Sequence, residues 1–258
     1  MIYHSIKDLI AAGPAPELPV IIPTFNNISY LTKMIIQLDE YNIDNIIILD
    51  NFSTLPAMSE ILDIYGETYT VVKKFTNDGP REFYTNKEFY EWLPEKFIVT
   101  DPDIGFHKNL PKNFVEILSQ VSDEFNMNRV GFALDTEMVG IKSIIKSIPF
   151  SNSGLTMYEW EKQFYRQFIG YTETGDSIYR APIDTTFCLV NKKYHIDHTD
   201  PMQISNICAR IGDKFTAQHY GWYENPPIDN KEYEFYLSKV PPQWSFTSNV
   251  VKMIKGIK

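Results

Sequence analysis

Asp101 and Asp103 stand one residue apart at the end of an apolar run, Phe97-Ile98-Val99-Thr100-Asp101-Pro102-Asp103, with a proline between them. Carboxylates are hard oxygen ligands for divalent cations. Proline, with a fixed φ and no N–H, stiffens the link between the two. The competing reading is a plain turn, since Asp and Pro both serve turns well. What decides between them is the company the pair keeps.

The preceding run reads as a buried strand, and three similar runs come before it. Leu18-Pro19-Val20-Ile21-Ile22 is expected to be a strand followed by the loop Pro23-Thr24-Phe25-Asn26-Asn27. Asn45 to Asp50 is a second strand ending at Asp50-Asn51-Phe52-Ser53, and Tyr69 to Phe75 a third, leading into Thr76-Asn77-Asp78-Gly79-Pro80-Arg81. Helical spacing lies between them over Ile28 to Tyr41, Leu55 to Tyr65 and Asn86 to Leu93. Strand alternating with helix predicts a parallel α/β sheet with covered faces. In open sheets of this kind ligands lie outside the carboxyl ends of the strands, so Thr24, Asn26, Asp50, Asn51, Asn77 to Arg81 and Asp101 to Asp103 should line one cleft.

The second half is less regular. Phe114 to Phe125 and Met157 to Phe168 have helical spacing, Arg129 to Leu134 reads as a strand, and Ser177 to Asn191 alternates like a strand around Asp184. Phe215 to Tyr236, dense in aromatics and prolines, suits an irregular lid or binding wall. No repeat or linker is visible. The simplest partition is one domain over 1–258, with a ligand-binding half at 1–110 and a second half at 111–258.

Composition narrows the function classes. A chain of 258 residues with 43% hydrophobic residues can bury a large core, and its net charge of -9 argues against a general nucleic-acid surface. A phosphate-bearing ligand therefore needs a local device, such as a metal ion or a helix N-terminus. Cys188 and Cys208 form neither a disulfide framework nor a zinc spacing, so a reducing, cytoplasmic compartment is expected. The N-terminus lacks the pattern of a signal peptide, and no run approaches the ~20 apolar residues of a membrane span. The basic stretch at 250–258 is a candidate for peripheral contact with an anionic membrane, against the alternative of a solvated tail.

With these segments assembled, the chain resembles the GT-A (Rossmann-like) glycosyltransferases, in particular the family 2-like enzymes that use nucleotide sugars. The resemblance is carried by Val20-Ile21-Ile22-Pro23-Thr24-Phe25-Asn26, Ile47-Ile48-Leu49-Asp50-Asn51-Phe52-Ser53 and Phe97 to Asp103 as an Asp-x-Asp motif. It thins beyond residue 110, where Arg180 to Phe187 and Phe215 to Tyr223 look like the acceptor half of small relatives. The resemblance implies a hexosyltransferase of polysaccharide assembly that moves a sugar from a UDP-sugar to a glycan or lipid-linked acceptor hydroxyl, with inversion. Pro23, Thr24, Asn26 and Asn51 would lie against the nucleotide, and Asp50 would face the base or ribose. Asn77, Gly79, Pro80 and Arg81 would pass near the uridine or diphosphate, beside Thr100 and Pro102. Asp101 and Asp103 would hold Mn²⁺ or Mg²⁺ on the diphosphate, with Asp103 the direct ligand, and a late histidine, here His219, would close the metal shell. Packing of His219 among Tyr220, Trp222 and Tyr223 is the alternative.

An inverting transfer needs a carboxylate opposite the diphosphate to take the acceptor proton. Asp184 is the first choice, because it interrupts a strand-like segment otherwise made of Ile183, Thr185, Phe187 and Leu189; its alternative is a buried structural acid. Glu161 is the second choice, and Asp135 and Glu137 are candidates for acceptor or sugar contacts. Trp160, Trp222, Tyr223 and Trp244 could stack on sugar rings, although 17 Phe, 16 Tyr and 4 Trp mean that most aromatics must be core. His195 and His198 are assigned to the surface. Two other functions compete: a nucleotidyltransferase acting on sugar phosphates, and a carbohydrate-binding protein of the same fold without turnover. The loop from Pro23 to Asn27 has no glycine or lysine, which counts against the first.

Overall fold

The computed structural model describes residues 1–137, 139–147, 149, 154–194 and 207–241. His195, His198, Trp244 and the tail at 250–258 lie outside them. The chain forms strands β1 (Ile2–Tyr3), β2 (Val20–Thr24), β3 (Ile46–Asp50), β4 (Thr70–Lys73), β5 (Lys96–Val99) and β6 (Ile104–Gly105). Strands β7 (Arg129–Phe132), β8 (Phe168–Tyr171), β9 (Ser177–Arg180), β10 (Cys188–Asn191), β11 (Cys208–Ile211) and β12 (Gln218–His219) follow. The helices are α1 (Ile6–Ala11), α2 (Ile28–Asp39), α3 (Pro56–Gly66), α4 (Glu82–Thr85), α5 (Lys87–Trp92), α6 (Phe114–Phe125), α7 (Ser143–Ser147), α8 (Met157–Lys162) and α9 (Asn230–Lys239). No helix of the described residues is long and apolar enough to cross a membrane.

This is a mixed α/β fold built on one large, mostly parallel sheet in the order β1-β4-β3-β2-β5-β10-β7-β11-β9-β8. The five strands from β1 to β5 all pair in parallel, so β2, β3, β4 and β5 end on the same edge. β10 enters antiparallel between β5 and β7 and joins the two halves of the chain into one sheet. Successive residues of the central strands feed opposite faces, as strand geometry requires. Ile22, Ile48, Val71 and Ile98 pack with Leu31 and Met34 of α2 and Phe114 of α6, whereas Ile21, Ile47, Val72 and Val99 pack with Ile6 and Leu9 of α1 and Phe89 of α5. Burial on both faces is why these strands read as continuous apolar runs.

Several expectations about elements need correction. The residues ahead of β2 form elements of their own: Ile2 and Tyr3 pair with Val71 and Val72, and Ser5 caps α1 by accepting the Asp8 N–H at 3.1 Å. The helix expected over Met157 to Phe168 stops at Lys162, and Phe168 instead begins β8, which forms a hairpin with β9 around Gly175 at φ +80°. The alternating stretch from Ser177 to Asn191 is two strands separated by the loop at 181–187. Within Phe215 to Tyr236, Asp229 accepts the N–H groups of Lys231 and Glu232 and so starts a regular helix, α9, among the prolines.

Candidate active site

Asp103 is tied into the second half of the chain by the backbone. β6 pairs antiparallel with β12, placing Ile104 opposite His219, and the Tyr220 N–H donates to the Asp103 carbonyl at 2.8 Å. This brings His219 Nδ1 to 3.4 Å from Asp103 Oδ2. The imidazole lies flat on Trp222, with ring centroids 4.8 Å apart and planes 7° apart. Its Nδ1 is buried and makes no hydrogen bond. Thus packing and proximity to Asp103 coexist, since one ring face stacks while a nitrogen edge stays open.

Asp101 faces the other way. Its N–H donates to the Thr185 carbonyl at 2.8 Å, and its Oδ2 accepts the Thr185 hydroxyl at 2.5 Å. Burial, and then the charge of Asp103, lift the Asp101 carboxyl to about 7, against the opposing pull of Thr185 and His219. The two carboxylates of the motif therefore differ in environment: Asp101 is held by Thr185, and Asp103 is paired with an imidazole.

A divalent cation fits this donor set through Asp103 and His219. A buried imidazole nitrogen without a partner, beside a carboxylate oxygen, offers the mixed N/O ligands that Mn²⁺ accepts. No group of three His, Cys, Asp or Glu side chains converges on one point among the described residues. The remaining ligands of a bound ion would have to come from a ligand or water, which is how Mg²⁺-type sites on phosphates are usually completed.

The loop that carries Asp184 is held by four successive carbonyls. Arg210 Nε donates to Pro182 O at 2.7 Å, Arg129 Nη1 to Ile183 O at 3.3 Å, Cys188 Sγ to Asp184 O at 3.4 Å, and the Asp101 N–H to Thr185 O. Both arginines are buried, and Arg210 is ion-paired to Glu161 Oε2 at 2.6 Å. At the tip of the loop, the Asp184 carboxylate accepts both the Nε and Nη2 of Arg81. That pair is 34% and 48% exposed, so it contributes about 0–1 kcal/mol. A charged donor on a buried carbonyl contributes about 1.5–3 kcal/mol. The loop is fixed while the contact at its tip can open.

Residues at the ends of β2, β3 and β4 bind one another. Pro23 and Thr24 lie in β2, opposite Leu49 and Asp50. Asn26, at φ +50°, accepts the N–H groups of Thr54 and Leu55 at 2.7 and 2.8 Å, and its own N–H donates to Ser53 Oγ. Asp50 accepts the backbone and hydroxyl of Ser53, and burial raises its carboxyl above the usual range despite those bonds. The Asn51 N–H donates to Thr24 O at 2.9 Å. Asn26 Nδ2 and Asn51 Oδ1 remain buried without partners, a donor and an acceptor at the same two strand ends. The segment at 74–82, which includes Asn77, Gly79 and Pro80, is drawn together by Lys74, bonded to Asp78 at 3.1 Å and to Glu82. Gly79 adopts φ +90°, where a side chain would be strained. The site thus joins Thr24, Asn26, Asp50 and Asn51 at one part of the edge and Arg81, Thr100, Asp101, Pro102, Asp103, Asp184 and His219 at another. Glu161 stands apart from them, buried in its pair with Arg210.

Sequence reasoning passed over several residues. Thr185 adjoins Asp184 and clasps Asp101. Arg129 and Arg210 interrupt buried apolar strands, and that interruption was the available signal. Tyr30, whose buried hydroxyl has no partner and is pushed upward by burial and then by Asp103, stacks on Tyr220 at 6.3 Å. Glu232 of α9 accepts the Ser29 N–H at 2.9 Å and the Ser29 hydroxyl at 2.6 Å. Lys142 Nζ donates to Gly221 O at 3.0 Å and to the Tyr233 hydroxyl at 3.2 Å, tying α9 to the His219 turn.

Fold and site define an α/β protein with a carboxylate–imidazole pair at the carboxyl edge of its parallel strands. No protein-family model matches the sequence, and no curated protein matches it. Among solved structures the chain is similar to GalNAc-T7 crystallised with UDP, GalNAc and Mn²⁺, with a TM-score of 0.46 and 14% identity over 93% of this chain and 54% of that one. It is similar to the S. aureus TarS fragment 1–349, with a TM-score of 0.48 and 12% identity over 86% of this chain and 64% of that one. A longer TarS structure gives a TM-score of 0.37 and 18% identity over 52% of this chain and 24% of that one. The chain spans less than two-thirds of the length of each of these three.

Proposed function

We propose that this chain is a GT-A-type, metal-dependent glycosyltransferase that moves a hexose from a nucleoside-diphosphate donor, UDP foremost, to an acceptor hydroxyl. The observation that carries the reading is the Asp103–His219 pair, whose buried Nδ1 makes no hydrogen bond, at the edge where parallel strands expose their crevice. Asp103 and His219 would hold Mn²⁺ or Mg²⁺, and the ion, when bound, would neutralise the leaving diphosphate. The nucleotide half is assigned to residues 1–110 and the acceptor half to 111–258, with a glycan or lipid-linked acceptor.

The chain's own residues supply the remaining roles. Asn26 Nδ2 and Asn51 Oδ1 offer one donor and one acceptor to a nucleobase or ribose. Arg81 meets the diphosphate and in doing so releases Asp184, which the clamped loop keeps in place. Asp184 then takes the proton of the acceptor hydroxyl while that oxygen bonds to the anomeric carbon; the bond from that carbon to the diphosphate breaks, and the nucleoside diphosphate leaves with the electron pair.

The test is a thermal-shift panel of UDP-, GDP-, dTDP- and CMP-sugars with and without Mn²⁺, in wild type and Asp103→Ala. Ligand binding to the native state raises apparent stability. One donor should stabilise the wild type only with Mn²⁺, and Asp103→Ala should lose that response while keeping its fold. A panel without any shift, or an unchanged response in Asp103→Ala, overturns the proposal.

A further inference from the structure

A cavity of about 590 Å³ opens beside the Asp103–His219 ribbon, within the roughly 300–1,000 Å³ usual for small-ligand sites. Its walls include Lys108, Asp135, Glu137, Tyr165, Asp213 and Gln218, and none of these belongs to the residues gathered at the ends of β2 to β5. Gln218 lies in β12 and Phe106 directly follows β6, so the cavity borders the two-stranded ribbon that also carries the proposed metal pair. Asp135 and Glu137 follow the end of β7, and Tyr165 and Asp213 come from the turns that follow α8 and β11.

We propose that this cavity is the acceptor subsite and that it takes an uncharged, polyhydroxylated acceptor, a neutral glycan or polyol, rather than a phosphate-bearing one. The inference rests on the transferase reading and adds the place and chemical class of the acceptor. Three carboxylates face one lysine and the imidazole of His107, so a phosphodiester or sugar phosphate entering here meets net repulsion in an already acidic protein, whereas hydroxyl groups find acceptors. The Asp135 carboxylate is held ready for that use: Oδ2 accepts the Tyr223 hydroxyl at 2.9 Å and Oδ1 accepts the Glu137 N–H at 2.8 Å, leaving further lone pairs on both oxygens. The Tyr165 hydroxyl is engaged with Leu134 O at 2.6 Å, which leaves its ring as an apolar surface for a sugar face. Glu137 is exposed, so its replacement leaves the core intact.

The experiment is saturation-transfer NMR on the whole chain with neutral p-nitrophenyl glucoside, galactoside and N-acetylglucosaminide, and with glucose 6-phosphate as the charged probe. Asp135→Asn and Glu137→Gln are compared with wild type, and UDP with Mn²⁺ is measured on each by thermal shift. At least one neutral glycoside should bind the wild type, weaken at least tenfold in Asp135→Asn and weaken in Glu137→Gln, while glucose 6-phosphate gives no signal. The UDP–Mn²⁺ shift should be the same in all three proteins. Glycoside binding unchanged by both substitutions, no binding by any neutral probe, or preference for glucose 6-phosphate overturns the proposal. Loss of the UDP–Mn²⁺ response in wild type alongside intact, Asp135-dependent glycoside binding overturns the transferase reading instead.

Discussion

Replacing Glu161 with glutamine removes one charge from a pair whose side chains are 6% and 7% exposed and lie 2.6 Å apart. Arg210 then stays charged in the interior with Pro182 O and the Phe164 ring as its remaining partners, the ring centroid 4.2 Å away. Breaking a buried pair by removing one partner costs about 3–5 kcal/mol. The surviving partners of Arg210, and the amide oxygen of the new glutamine, put this case at the lower end, about 3 kcal/mol on the same scale. For a chain of this size that corresponds to a fall in Tm of roughly 6–12 °C. Thermal unfolding followed by circular dichroism reads it. Because Arg210 also holds the carbonyl two residues before Asp184, turnover measured well below the new Tm should fall in part and not vanish. A Tm within about 2 °C of wild type, below the smallest effect this scale allows, refutes the stabilising role. Turnover abolished with an unchanged Tm would instead place Glu161 in the chemistry.

The other predictions probe the site. Asp184→Asn should retain the donor-induced thermal shift and lose transfer by about 10²–10⁴-fold, the range for a general base; normal initial rates would move the base elsewhere. In Gly221→Ala, the new Cβ would lie 3.2 Å from Asp103 Oδ2 and 3.4 Å from the His219 ring, so Mn²⁺ affinity by calorimetry should drop. Unchanged Mn²⁺ affinity removes His219 from the proposed shell. Burial, followed by the charge of Asp103, raises Asp101 to about 7, while an unfolded aspartate titrates near ~4. Between those values the folded chain holds a proton that the unfolded chain has lost, so metal-free stability should fall as pH rises from about 4 to about 7 and then level off. Urea midpoints in EDTA should show that slope in wild type and not in Asp101→Asn; equal slopes refute it.

The parallel core was legible because strands buried on both faces spell themselves as Val20-Ile21-Ile22, Ile46-Ile47-Ile48 and Phe97-Ile98-Val99, and the switch-point rule places their polar ends on one edge. Shorter elements escaped: β1 has two residues and α1 has six, too few for any period to register. What no local pattern carries is pairing across the chain. Arg81 and Asp184 are 103 residues apart, Arg210 and Glu161 are 49 apart, and Ser29 and Glu232 are 203 apart. Each sequence segment reads much the same with or without its partner. For that reason Asp184 could be singled out as a carboxylate interrupting a strand-like alternation, while its contact with Arg81 and the clamp behind it could not.

Those distant pairings also bear on how an acidic chain could hold a diphosphate. A metal ion, a helix N-terminus and a local arginine are devices open to a protein of net charge -9. α2 follows the β2 loop and points its N-terminus toward the same edge, so it is the natural candidate for the second device. Yet the N–H of its second residue, Ser29, already donates to the Glu232 carboxylate, and the Ser29 hydroxyl does the same. An anion arriving there meets an internal carboxylate that has satisfied the helix dipole. With that helix end occupied, the proposed function would leave charge neutralisation to Arg81 and to a cation held by Asp103 and His219. Arg81 in turn is paired with Asp184, so on that proposal its engagement by a diphosphate would free the proposed base. On the proposed function, the Ser29–Glu232 contact would make the proposed metal pair and the Arg81–Asp184 contact parts of one device, in which donor binding and release of the proposed base would be the same event.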